Sequence, residues 1–277
     1  MDFRTKPEAE RHRLRATFET VAELYDRARP SYPPQLFDDL ETLAQIPARG
    51  RILEIGPGTA RATLPLAERG YEIVGLELGA ELASVARRNL AEYPRAQIIN
   101  TSFETWEPSA QRFDAIVAFT AFHWIDPEVR FAKSARLLRP HGSLAVVATQ
   151  HVLAEDGDPF WTEVQEDYDA VAPSDDNHPP PRPDEVPDLA EEITASGVFG
   201  HPVVRRYLWD VIYTADQYID LLDTYSGHRN LEPPQRERLY RRIHKRIESR
   251  PTSVVTKTYL ATLNVASVRA CGNVSGA

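Results

Sequence analysis

A chain of 277 residues with 42% hydrophobic side chains suffices for one enlarged α/β domain or two small ones, and no second core is required. Its 41 acids against 32 bases leave a formal charge of −9, which speaks against tracking a nucleic-acid backbone. A single cysteine, Cys271, excludes an intrachain disulfide and a cysteine metal cluster, and no segment is apolar for long enough to cross a bilayer, so a chain working free of nucleic acid and membrane in a reducing cytoplasm is expected.

Lys6 to Ala28 carries Leu14, Phe18, Val21, Ala22, Leu24 and Tyr25 at helical spacing, and the prolines at Pro30, Pro33 and Pro34 then break the pattern. Gln35 to Gln45 reads as a second helix, with Leu36, Phe37, Leu40 and Leu43 on its buried side. A regular alternation follows: strand Ile52 to Ile55, helix Ala60 to Arg69, strand Glu72 to Leu76, helix Glu81 to Glu92, strand Ala96 to Asn100, and strand Phe113 to Phe119. Helix Pro127 to Leu138 and a turn at Gly142 lead to strand Leu144 to Thr149. Apolar strands alternating with amphipathic helices predict a parallel sheet covered on both faces, the doubly wound α/β class.

After Thr149 the character changes. Pro173 to Pro187 is proline-rich and predicts an extended loop, because proline favours polyproline geometry and cannot donate to a strand ladder. Val203 to Tyr213 and Val254 to Val265 read as two further strands that close the sheet as an antiparallel pair. The helices between them, Asp216 to Tyr225 and Gln235 to Arg250, form a cap. The basic run Arg236 to Arg250 is interrupted at helical spacing and predicts a solvated helix face. The expected organisation is one domain over 1–277, with a helical lid at 1–46, a cofactor core at 47–150, a substrate cap at 151–250 that includes strand 203–213, and a closing strand at 251–268.

The richest signal is Arg51-Ile-Leu-Glu-Ile-Gly-Pro-Gly-Thr-Ala60, an apolar strand running into a glycine turn that opens a helix. Gly56 and Gly58 can take backbone angles closed to other residues and bring no Cβ to block a ligand, so a nucleotide-like cofactor fits there. Ala60 holds the place of a third glycine. A second buried strand, Ile73 to Glu77, ends in a carboxylate about 20 residues after the glycines, where an acid can take both hydroxyls of a ribose. Either feature alone also occurs as a plain strand-to-helix connection or a helix cap; their pairing is what makes a cofactor site.

Taken with Ser102-Phe-Glu104, Phe113-Asp114, His123-Trp124 and Leu137-Leu-Arg-Pro-His-Gly142, these residues resemble the class I S-adenosylmethionine-dependent methyltransferases over about residues 20 to 150. Tyr25 to Pro33 and Ala121 to Asp126 are similar to bacterial small-molecule members. The resemblance implies a Rossmann-like, seven-stranded sheet whose last strand is antiparallel, S-adenosyl-L-methionine as cofactor, S-adenosyl-L-homocysteine as product, and methyl transfer by in-line displacement. It further implies that Gly56 and Gly58 pass beside the cofactor, Glu54 faces its amino group, Glu77 and the adjoining Leu78 hold the ribose side, Ser102 and Phe103 flank the adenine, and Phe119 and Thr120 floor the pocket. Ser102 departs from the aspartate of many relatives, and Ala60 from glycine.

His123 follows the fourth strand and is the first candidate for a general base, with cofactor bonding or loop packing as the plainer role. Tyr25 and Arg29 sit where a lid over the cofactor would be. Tyr32, Trp124, Tyr225 and His228 are the candidate acceptor contacts, and Tyr225, His228 and Arg229 together suit an acidic or phenolic small molecule. His151, His178 and His201 have no metal-ligand spacing, so no metal is expected. A cofactor-binding protein without transfer activity, or a nicotinamide-dependent oxidoreductase, is the alternative.

Overall fold

The computed structural model describes residues 21–108, 112–174 and 178–269. Most of the helix expected over Lys6 to Ala28, and Cys271, lie outside them. The described helix is α1 (Ala22–Ala28), followed by α2 (Pro34–Ala44), whose Leu36, Phe37 and Leu40 are buried as their spacing predicts. β1 (Arg51–Ile55), α3 (Thr63–Glu68), β2 (Glu72–Glu77), α4 (Ala80–Asn89), β3 (Ala96–Asn100), β4 (Phe113–Phe119) and α5 (Pro127–Leu137) then alternate as expected.

β1 pairs in parallel with β2 and β4, β2 with β3, and β4 with β5 (Leu138–His151). The seven strands lie in the order β3-β2-β1-β4-β5-β7-β6, with β7 (Val254–Ser267) inserted beside β6 (Val203–Thr214) in a mixed sheet whose last strands run antiparallel. The strand order reverses between β1 and β4, which opens a crevice at their C-terminal ends.

Three expectations shift. The turn expected at Gly142 is absorbed into β5, which begins at Leu138; Pro140 is tolerated there because the β4–β5 register shifts between Phe113 and Ala115. The helix expected from Ala60 starts only at Thr63, since Ala60 itself takes a left-handed φ of 74°. Short helices α6 (Phe160–Glu163), α7 (Gln165–Val171) and α8 (Ala190–Ala195) flank the proline-rich loop, which itself carries a 3₁₀ turn at Pro183–Glu185. The cap helices are α9 (Ala215–Leu222), α10 (Ser226–Arg229) and α11 (Pro233–Glu248).

The chain divides into two compact units that interleave in sequence: unit 1 comprises 1–31, 149–187 and 207–261, and unit 2 comprises 32–148, 188–206 and 262–277. Unit 2 is built on Leu53, Ile55, Ile116, Ala118, Leu144 and Val146 of the parallel strands, packed with Phe103, Phe122 and Leu137. Unit 1 has its own core of Phe160, Trp161, Tyr218, Leu222, Leu239, Ile243, Ile247 and Tyr259. Leu239, Ile243 and Ile247 form the apolar stripe of α11 at four-residue spacing. The basic side of that helix is more than solvated: Arg242 and Arg246 both bind Asp167 of α7, at 2.9 and 2.6 Å.

Candidate active site

In unit 2, the end of β1 delivers Glu54 and the glycine turn into the crevice. Gly56 and Gly58 take φ of 66° and 59°, a region open to glycine and costly to L side chains. A Cβ on Gly56 would stand 2.7 Å from the Cβ of Ala121, so the turn after β1 is pressed against the turn after β4.

Glu77 ends β2, and its two carboxylate oxygens each accept a backbone N–H, Oε2 from Gly58 at 2.8 Å and Oε1 from Gly79 at 2.9 Å. The carboxylate therefore ties the glycine turn to the β2–α4 turn. Next to it Leu78 is 41% exposed, an apolar side chain left at the edge of the crevice.

Glu54 differs. It is fully buried, and among the described residues neither of its oxygens has a partner in full hydrogen-bond geometry, the Thr63 hydroxyl being close enough to act on its charge but outside that geometry. Burial pushes its carboxyl up to about 7, the Thr63 hydroxyl pulls the other way, and the Glu77 carboxylate adds to the rise. A buried acid without a partner is costly, and a cation placed against it would remove the cost.

The wall from β4 is aromatic. Phe119 stacks on Phe37 at 5.7 Å, Tyr32 meets Phe119 edge-on at 5.0 Å, and the Tyr32 hydroxyl lies 3.3 Å from Thr120 Oγ1. Thr120 has φ of 54°, an outlier for a β-branched residue, held by its N–H to the Val147 carbonyl at 2.7 Å. The strain turns the chain sharply into the 3₁₀ turn Phe122–Trp124, where His123 and Trp124 lie with rings 4.8 Å apart. Phe103 is 2% exposed and sits in the core under the Lys133 ammonium, so at the end of β3 it is the half-buried Ser102 that has surface to offer. Ser102 Oγ is itself held by Thr105.

The remaining sequence candidates gather in unit 1. The Arg29 guanidinium lies 4.2 Å over the ring of Tyr225 and 4.9 Å over that of Tyr25, and donates to the hydroxyl and carbonyl of Thr224. His228 Nε2 is 2.9 Å from the Tyr168 hydroxyl, and burial pushes its imidazole down to about 4, with Lys257 adding to the shift. Sequence reasoning missed Lys257, whose ammonium is 3.3 Å from the Tyr225 hydroxyl. The available signal was a lysine sharing a strand face with Val255 and Tyr259. No group of His, Cys, Asp and Glu suited to a metal is found among the described residues.

Comparison with known proteins identifies the core. Residues 52–142 match the family described as a methyltransferase domain. The family match lies over the β1-to-β5 segment and covers about a third of the chain. The chain is 33% identical over 138 residues to an uncharacterised methyltransferase of Mycobacterium tuberculosis, an alignment covering 50% of this chain and 54% of that one. It is 31% identical over 154 residues to a malonyl-[acyl-carrier protein] O-methyltransferase of Halalkalibacterium halodurans, covering 51% and 55%. The chain thus spans about half the length of the curated relatives it matches. In fold it is similar to a candidate type II methyltransferase of Anaeromyxobacter dehalogenans, with TM-score 0.57, 21% identity, and 86% and 97% of the two chains covered. It is also similar to phosphoethanolamine N-methyltransferase 2 of Haemonchus contortus, with TM-score 0.51, 15% identity, and 89% and 57% covered. The matches do not favour the oxidoreductase reading.

Proposed function

We propose that this protein transfers a methyl group from S-adenosylmethionine to a small-molecule acceptor. The observation that carries the reading is Glu54, a fully buried carboxylate without a hydrogen-bond partner among the described residues, set just before a glycine turn that Glu77 ties by a hydrogen bond. A cofactor with an ammonium at one end and a ribose at the other fits those two acids, Glu54 for the charge and Glu77 for the hydroxyls. When bound, S-adenosylmethionine supplies a methyl group on a sulfonium, already activated for displacement. Gly56 and Gly58 keep the backbone close to the ligand, while Phe37, Phe119 and Tyr32 exclude water from one side.

The protein's remaining task is alignment, plus one proton. Where the acceptor is a hydroxyl or a carbon acid, it would also have to lose a proton on methylation. His123, at the tip of the turn after β4, is the group assigned to take it.

Calorimetric titration with S-adenosylhomocysteine tests the reading, with NADH as control and Gly56→Val as the blocked site. Saturable binding of the product, lost in the variant and absent with NADH, is expected; tighter binding of NADH would overturn the assignment. Once an acceptor is in hand, His123→Ala is expected to lower kcat by about 10²-fold or more while leaving product affinity unchanged. A loss of affinity alone would remove His123 from the chemistry.

A further inference from the structure

Lys257 lies on β7 in unit 1 and is 3% exposed. Around its ammonium stand the rings of Trp161, Tyr218, Tyr225 and Tyr259, at 5.2 to 5.7 Å. Its hydrogen bond is to the Tyr225 hydroxyl at 3.3 Å, and no carboxylate lies within ion-pair distance of it or of Arg29 among the described residues. Several acids of unit 1 are engaged elsewhere: Asp167 with Arg242 and Arg246, Asp158 with Arg250, Asp223 with Tyr240 and Arg229, and Asp210 with Thr258. Two cations thus converge on one phenol. Beside them, His151 packs 4.1 Å from Trp161, and its buried Nε2 has no hydrogen-bond partner among the described residues.

An ammonium with three donors and one neutral acceptor, out of water, leaves its charge uncompensated. Cation–π contacts offset part of that cost. Tyr225 could offset the rest only by ionising; burial pushes its phenol up, but Lys257 and Arg29 more than reverse this and leave it below its usual value. A carboxylate from outside is a far weaker base than a phenolate and brings its charge already formed at neutral pH. Tyr225 and Arg29 are half-buried while Lys257 is buried, so a ligand would meet the phenol and the guanidinium first.

We propose that Lys257, with Tyr225 and Arg29, is a binding site for the carboxylate of a small aromatic or aliphatic molecule. The cations take the carboxylate, the buried rings of Trp161, Tyr218 and Tyr259 keep water from the ammonium, and the half-buried Tyr225 ring is the apolar surface left to the ligand. The site belongs to unit 1, and its binding does not depend on the methyltransferase reading.

The test is calorimetric titration of the full chain with benzoate and octanoate, with benzylamine as the cationic control. Saturable binding of a carboxylate, weakened about tenfold or more in Lys257→Met and largely restored in Lys257→Arg, is expected, with none for benzylamine. Lys257→Met removes a buried charge and keeps the volume of the stem, so its melting temperature is expected to hold or rise, which shows that it folds. Undiminished carboxylate affinity in Lys257→Met, or no saturable carboxylate binding by the wild type up to ~10 mM, overturns the site. Glu54→Gln separates the two readings: it is expected to weaken S-adenosylhomocysteine binding and leave benzoate binding intact.

Discussion

At the scale of single residues, unfavourable states gather at the candidate site. Ala60 and Thr120 are among the described non-glycine residues with left-handed backbone angles, and Glu54 is a core acid without a hydrogen-bond partner among the described residues. Glu54 makes the sharpest prediction. Its folded pKa, near 7, lies above its usual value of 4.5, so the folded state binds more protons between those values. The stability it contributes is therefore present at low pH, falls as pH rises from about 4.5 to 7, and stays lost above that. Glu54→Gln is expected to raise stability at pH 8 by up to about 3 kcal/mol and to flatten this part of the pH profile, measured by urea unfolding at pH 5, 6.5 and 8. The same linkage sets binding: affinity for the cofactor's ammonium is expected to rise with pH up to about 7 in the wild type, and to be weaker and pH-independent across that range in the variant. A wild-type affinity that does not change between pH 5.5 and 8 would show that Glu54 does not face the charge.

At the scale of elements, amphipathic spacing and turn chemistry explain most boundaries. α9 begins at a reciprocal cap: Thr214 Oγ1 accepts from the Gln217 N–H at 3.3 Å, and Gln217 Oε1 accepts from the Thr214 N–H at 3.0 Å. The helix then buries Tyr218, Leu221 and Leu222 beside Lys257's cage. Thr214→Ala is expected to cost about 1 kcal/mol of stability in chemical denaturation, while Ser at this position retains most of it. β5 shows where spacing misleads. Pro140 and Gly142 read locally as a turn, and the chain does bend there, with His141 at a φ of 67°, yet Leu138 still pairs with Phe113 because the register shift absorbs three extra residues of β5.

At the scale of the whole molecule, each compact unit has its own core, and the two proposed sites fall in different units. Ligand protection should therefore be separable. In hydrogen exchange, S-adenosylhomocysteine is expected to slow amides near 56–60 and 77–79, and benzoate those near 224–229 and 256–259. Protection by both ligands at the same amides would mean that the sites are not independent.

The sequence by itself determined the parallel core and the cofactor signal. Strand and helix periodicities are local, and a glycine turn followed by a strand-end acid at fixed spacing is a short-range pattern, so Gly56, Gly58, Glu54 and Glu77 were legible before any packing was known. It also marked Tyr225 and His228 as a recognition cluster, though not what they face. Only the tertiary structure decided that Glu54 has no hydrogen-bond partner among the described residues, that Phe103 belongs to the core, and that Thr120 is strained. It alone brought Lys257 to Tyr225 and Arg29. Those three residues come from β7, the segment between α9 and α10, and the turn after α1, far apart in the chain. Their meeting depends on which strand faces pack together, and no local pattern encodes that.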